Sequence, residues 1–339
     1  MTSEMQKRIA GLELRFPYFD KKELQAISDA SDRYHIATIG TDEQLAEKYS
    51  LDPRRPPDLI AAQIMAGIYV REQLKERNIR PFETCQLTGI DNATISRNTN
   101  GVRPFSLMPS FLTPFCYNVL QESCHKVMFG EEGRIDLPKP YSMTARSLLS
   151  LDEPAREALL KYARKKAEVY DSQCKETMQT AGAGKKPEAE EKHAENKREK
   201  ADQNMIPNAP RRDQLIIIRE RIQTYLDDTG RRPVHILGTD TPHVVRNIIR
   251  RLMLDIRENP TPRGTILMYL SFETGLALDY FIAEDFTKYV PCFYTDENGE
   301  KIELKDKRIL QYLGTCAALP PETREQLMGR AIGSALAAM

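Results

Sequence analysis

Apolar residues in this chain recur mostly at helical spacing. Ile60, Ile64, Gly67/Ile68 and Arg71/Leu74 mark one face, and Leu148/Leu149, Leu159/Leu160, Ala163 and Ala167 continue the theme. Ile216, Ile217, Glu220, Ile222 and Leu226 trace a further face less cleanly. One stretch departs from that period. Residues 289–304 alternate apolar and polar positions on both sides of Asn298-Gly299, which predicts a small β-hairpin. The expected fold class is mainly α.

The pattern breaks over residues 172–212, where Gly182 and Gly184 lead into a Lys/Glu/Ala run closed by Pro207 and Pro210. Almost nothing there can enter a core, so a mobile charged linker is expected, with an r.m.s. reach of ~35 Å. The flanking halves repeat each other. Residues 74–81 align with 226–233, and 124–129 with 276–281, both at a spacing of 152. Residues 151–159 align with 319–327 at a spacing of 168, and the 16 extra residues are the hairpin. The expected organisation is therefore an N-terminal helical extension over 1–57, a first domain over 58–171, the linker over 172–212 and a second domain over 213–339. In the extension, Thr41 suits a helix N-cap, and Pro53, Pro56 and Pro57 close the section.

Composition narrows the chemistry. The 339 residues suit two domains, and 49 Lys+Arg against 49 Asp+Glu exclude a uniformly basic nucleic-acid coat, so polyanion binding must come from local patches. No run approaches ~20 apolar residues, and Met1-Thr2-Ser3-Glu4 opens no signal peptide, so no membrane contact is expected. The six cysteines form no CxxC pair and read as reduced, mostly buried thiols of a cytoplasmic protein. The five histidines lie apart, and Cys124-His125 near Cys116 lacks further ligands at zinc spacing. Phosphate-binding and dinucleotide glycine loops are missing, acidic pairs such as Asp227-Asp228 have no nearby base, and Gly238-Thr239-Asp240 is not a nucleophile elbow. No enzyme, metal site or cofactor is expected.

The informative stretch is residues 80–104, RPFETCQLTGIDNATISRNTNGVRP. Pro81 opens a short helix, Gly89 permits a tight positive-φ corner, and Asp91 suits the N-cap of a second helix over 92–98 that Asn100-Gly101 ends. Ile90 and Ile95 should face inward, leaving Asn92, Thr94, Ser96, Arg97 and Asn98 outward. A short helix of that composition on a rigid turn fits a DNA major groove.

Thr88 to Arg97, with Asn100-Gly101 and Arg103-Pro104 after it, resembles the helix-turn-helix of the phage-repressor (XRE/Cro-type) DNA-binding family. Phe111-Leu112, Phe115-Cys116, Val119-Leu120 and the Val127–Glu131 ending extend the resemblance over residues 66–132. Thr84, Cys85, Thr99, Pro109 and Pro114 depart from the family's usual residues. The resemblance implies that Asn92, Ala93 and Arg97 face base edges and that Asn100 and Arg103 contact phosphate, with Thr94 and Ser96 on the same DNA-binding element. Residues 237–251 can be laid on the same pattern, with Pro242 at a helix start and His243, Arg246, Asn247, Arg250 and Arg251 outward.

The expected protein is thus a sequence-specific, double-stranded-DNA-binding transcriptional regulator. It would have two lambda-repressor-like helical domains, the second, degenerate one carrying the hairpin, and either a homodimer mate or a partner protein besides DNA. The alternative is an antitoxin-like or assembly module on a helix-turn-helix scaffold that has lost DNA contact.

Overall fold

The computed structural model describes residues 59–99, 105–106, 109–130, 132–182, 214–236 and 273–338, with positions 249, 253, 267, 270 and 271. Of this part, 71 % is helical, so the protein is mainly α. Contacts divide the chain into two units that interleave along it. One draws on Met1–Gly133 and Gly230–Asp279, the other on Arg134–Thr229 and Tyr280–Met339. The sequence-based boundaries run consecutively instead. Each unit takes strands or helices from both sides of the charged run, which a linear repeat does not reveal.

The first unit contains α1 (Leu59–Glu76), α2 (Pro81–Thr88), α3 (Asn92–Thr99), α4 (Pro109–Pro114) and α5 (Cys124–Phe129). Ala66, Gly67 and Val70 are buried on α1, whereas the expected Ile60, Ile64 and Ile68 lie outside the described side chains. Pro109 sits in the first turn of α4, where its missing N–H costs nothing. Pro114 lies at its end, and the chain continues as a wider π-helical turn over Phe115–Leu120. A proline ring and a missing donor disrupt the i→i−4 ladder, which accounts for the widening. Phe105, Phe111 and Phe115 pack against one another beneath it, with centroids 5.0–5.7 Å apart.

A buried carboxylate joins the distant parts of this unit. Asp279 accepts hydrogen bonds from Tyr117 Oη (2.6 Å), Cys124 N and His125 N (2.9 Å each). It therefore caps the start of α5 together with Ser123 Oγ, which accepts from Lys126 N at 3.0 Å. Burial pushes the Asp279 carboxyl above its usual range, while the three donors pull it back.

The second unit contains β1 (Ile135–Asp136), α6 (Lys139–Ser150), α7 (Glu153–Gly182) and α8 (Gln214–Thr229). After the short α9 (Leu278–Ile282) follow β2 (Cys292–Thr295), β3 (Lys301–Glu303), α10 (Lys307–Ala318) and α11 (Pro321–Ala338). α7 runs to Gly182, so residues 172–182 of the expected linker are helical. The expected hairpin is β2–β3, with Phe293 opposite Glu303 and Gly299 at φ 84° in its turn. β1 adds a third strand parallel to β2, pairing Ile135 with Cys292; two residues are too short to show a period.

α8 keeps most of the expected inner face, with Ile217, Ile222 and Leu226 buried as the spacing predicts, but Ile216 turns outward, Glu220 is half-buried and Arg221 turns inward. Ile217, Ile218, Arg221, Ile222 and Leu226 are buried, and Ile216 is 49 % exposed. The face includes an arginine because Arg221 finds substitutes for water. It donates to Tyr141 Oη (2.6 Å), Glu284 O (3.2 Å) and Ala317 O (3.0 Å), and lies over the rings of Phe286, Tyr280 and Tyr141.

His125 gives the first unit a pH signature. Its Nδ1 accepts from Leu278 N at 3.3 Å, and Gly133 lies so close that an added Cβ would stand 2.7 Å from the ring. Burial pushes the imidazole down to about 4. An unfolded histidine titrates near 6.5, so below that pH the unfolded chain binds a proton that the native ring refuses. Stability is full above pH ~6.5 and falls by about 3 kcal/mol as pH drops towards 4. His125→Gln, which retains an acceptor but does not titrate, should flatten that decline in urea melts at successive pH values. An identical decline in variant and wild type contradicts the assignment.

Candidate nucleic-acid interface

α2 and α3 are joined by a tight turn over residues 89–91. Pro81 stands at the first position of α2, and Glu83 Oε2 accepts from Arg80 N at 2.8 Å. The helix ends at Gly89, in the left-handed region at φ 68°, with its N–H bonded to Cys85 O. Thr88 Oγ1 donates to Thr84 O (2.7 Å) and accepts from Ile90 N (3.2 Å), bracing the corner. Asn118 of the π-helical turn donates to Leu87 O at 2.9 Å, satisfying a terminal carbonyl of α2. Thr84 is fully buried where the family resemblance has a large aliphatic residue, and its hydroxyl is satisfied within α2 by Arg80 O.

Asp91 then starts α3. Its Oδ1 accepts from Thr94 N at 2.9 Å, the N-cap geometry read from the sequence. Hydrogen bonds from Thr94 hold this exposed carboxyl below its usual range, so it is an ionised acceptor at neutral pH.

The helix has two unlike faces. Ile95, Asn98 and Thr99 are buried, whereas Asn92, Ala93, Ser96 and Arg97 are exposed and share one face at i, i+1, i+4 and i+5. Thr94 is half-buried between them. Among the described residues, the exposed Arg97 guanidinium makes no ion pair. Two expectations need correction. Asn98, expected outward, is 1 % exposed: its Nδ2 donates to Thr94 O (2.8 Å) and its Oδ1 accepts from Ser106 N (2.9 Å). A satisfied amide can be buried at little cost, so polarity alone misplaces it. Ile90, expected inward, is half-buried because it occupies the turn rather than a helix face.

Asn100 and Arg103 lie outside the described residues, as do His243, Arg246, Asn247 and Arg250 of the second copy. Within that stretch only Ile249 is described; it is buried, as the pattern expects. Sequence reading placed Gly67 on the apolar face of α1 but missed its close approach to α3. A Cβ there would stand 2.7 Å from Asn98 O, so glycine lets α1 pass directly against the last turn of α3. The signal available was an isolated glycine within a helical pattern.

Among the described residues, no group of three or more His, Cys, Asp or Glu is placed to hold a metal ion. No described helix is long and apolar enough to cross a membrane.

Gly67→Ala tests the packing that turns α3 outward. Overpacked core positions cost about 1–3 kcal/mol. A lower Tm is expected, with backbone amides of 95–99 losing protection from hydrogen exchange before those of α2. An unchanged Tm and exchange pattern would contradict the close approach. In comparisons with family models, curated proteins and solved structures, the chain matches none.

Proposed function

We propose that the chain is a transcriptional regulator that reads double-stranded DNA in a sequence-specific manner through α3. The reading rests on one observation above all: a short helix, fixed by a glycine corner and an aspartate cap, exposes Asn92, Ala93, Ser96 and Arg97 together. These groups suit base edges in a major groove. Arg97 can donate two hydrogen bonds to O6 and N7 of one guanine, and Asn92 carries both a donor and an acceptor. Ala93 leaves room for the groove floor and offers a methyl contact.

The 237–251 stretch, which belongs to the same unit as α3, would form a second lambda-repressor-like reader, more basic than the first. Two modest readers on one chain gain affinity through effective concentration, so one chain would occupy two half-sites. The rival reading, a protein-interaction module, is favoured by Phe82, which stands 69 % exposed in the first turn of α2.

Salt separates the two. Binding that neutralises several phosphates should weaken steeply between ~50 and ~200 mM salt, whereas docking of an apolar partner should not. With a duplex selected from a randomised pool, Arg97→Ala should weaken binding and relax preference at one position, a discrimination of about 1–3 kcal/mol. Phe82→Ala should leave DNA affinity within twofold or so, since loss of an exposed side chain away from base edges removes little. Unchanged affinity and preference in Arg97→Ala would remove the reading role from α3.

A further inference from the structure

In the unit formed by Arg134–Thr229 and Tyr280–Met339, two helical hairpins share one construction. α6 begins at Lys139 and α10 at Lys307, and both have 12 residues; α7 begins at Glu153 and α11 at Pro321, so the spacing is a constant 168. The corners match too. Leu151 (φ −85°, ψ 154°) and Leu319 (φ −94°, ψ 157°) each donate an N–H over 3.2 Å to the carbonyl three residues earlier. Equivalent positions are buried together, as in Leu148/Cys316, Leu159/Leu327 and Ala163/Ala331.

The packing between the hairpins is reciprocal. α6 lies on α11 and α7 on α10, two contacts that exchange when the copies are exchanged; α6 also lies on α10, a contact that maps onto itself. Tyr162 and Arg330 are equivalent positions, and they meet, with the guanidinium 4.0 Å from the ring centroid. In a two-fold interface, a residue touches its own equivalent only near the axis. The sizes have also diverged across the pair: Thr144 and Ala145 face the chemistry of Tyr312 and Leu313 at the equivalent buried sites. A homodimer must carry each residue on both sides, whereas two copies on one chain can differ.

We infer that this unit is a dimer interface folded within one chain. The α6–α7 and α10–α11 hairpins are two copies of one element that meet about a pseudo-two-fold axis passing Tyr162 and Arg330. Each copy finds its partner in cis, so this interface is closed within one chain, where a chain with one hairpin would recruit a second chain. This assignment does not rest on DNA binding and stands or falls without it.

Spin labels on the full-length chain test it. Two-fold symmetry makes the distance from 161 to 325 equal to that from 157 to 329, and all four positions are exposed. No atom lies within 4 Å of a Cβ added at Gly329, so a label fits there. With Cys85 and Cys174 replaced by Ser, the pairs Lys161→Cys/Glu325→Cys and Glu157→Cys/Gly329→Cys should give coincident distance distributions. Adding excess unlabelled protein should leave both unchanged, and a mixture of singly labelled chains should show no such distance. Clearly different distributions would overturn the two-fold relation. Distances that vanish on dilution with unlabelled chain, or that arise between singly labelled chains, would overturn the pairing in cis.

Discussion

Asn98 decides which way α3 faces. Both ends of its amide are occupied inside the protein, by Thr94 O and Ser106 N, and its backbone carbonyl stands against Gly67 of α1. With Ile95 and Thr99 buried beside it, rotation of the helix would expose apolar surface and strand a buried amide, each costly by more than thermal energy. The opposite face is therefore committed to solvent. That face carries Asn92, Ala93, Ser96 and Arg97, so a packing constraint and the proposed recognition surface are two sides of one eight-residue helix.

In each unit a buried ionisable side chain ties together partners distant in sequence. Asp279 ties the end of one chain segment to Tyr117 and to the first turn of α5. Arg221 ties α8 to Tyr141, Glu284 and Ala317. Such groups are expensive to bury and specify their surroundings closely, because displaced water is replaced by aimed donors, acceptors or rings. They also explain why the units interleave: each needs residues from both halves of the chain.

Local chemistry was legible in the sequence wherever a residue type has a steric or capping reason to be where it is. Pro81 at a helix start, Gly89 at a left-handed corner, Asp91 as a cap and Asn298-Gly299 in a hairpin turn all occupy the expected places. The pattern misread Asn98 as outward and left Arg221 without a reading; both are polar residues buried against partners that spacing does not show. Asn98 and Arg221 look like surface residues until their carbonyl, amide and aromatic neighbours are known, and those neighbours lie up to 96 residues away. β1 was missed because two residues cannot display a period, and the continuation of α7 to Gly182 because its polar composition suits an exposed helix as well as a linker. Of the candidate interface, Asn92, Ser96 and Arg97 were readable as outward from the residues and Ala93 only through the family resemblance, while Gly67 gains meaning only from the helix that crosses it.

On the proposed function, the outward face of α3 enters a major groove. Methylation interference on a duplex selected by the full-length chain addresses it directly, since methyl groups at guanine N7 project into that groove and those at adenine N3 into the other. A small set of guanines whose N7 methylation abolishes binding is the predicted result. Interference confined to adenine N3, or failure of any duplex to be enriched from a random pool, would contradict it.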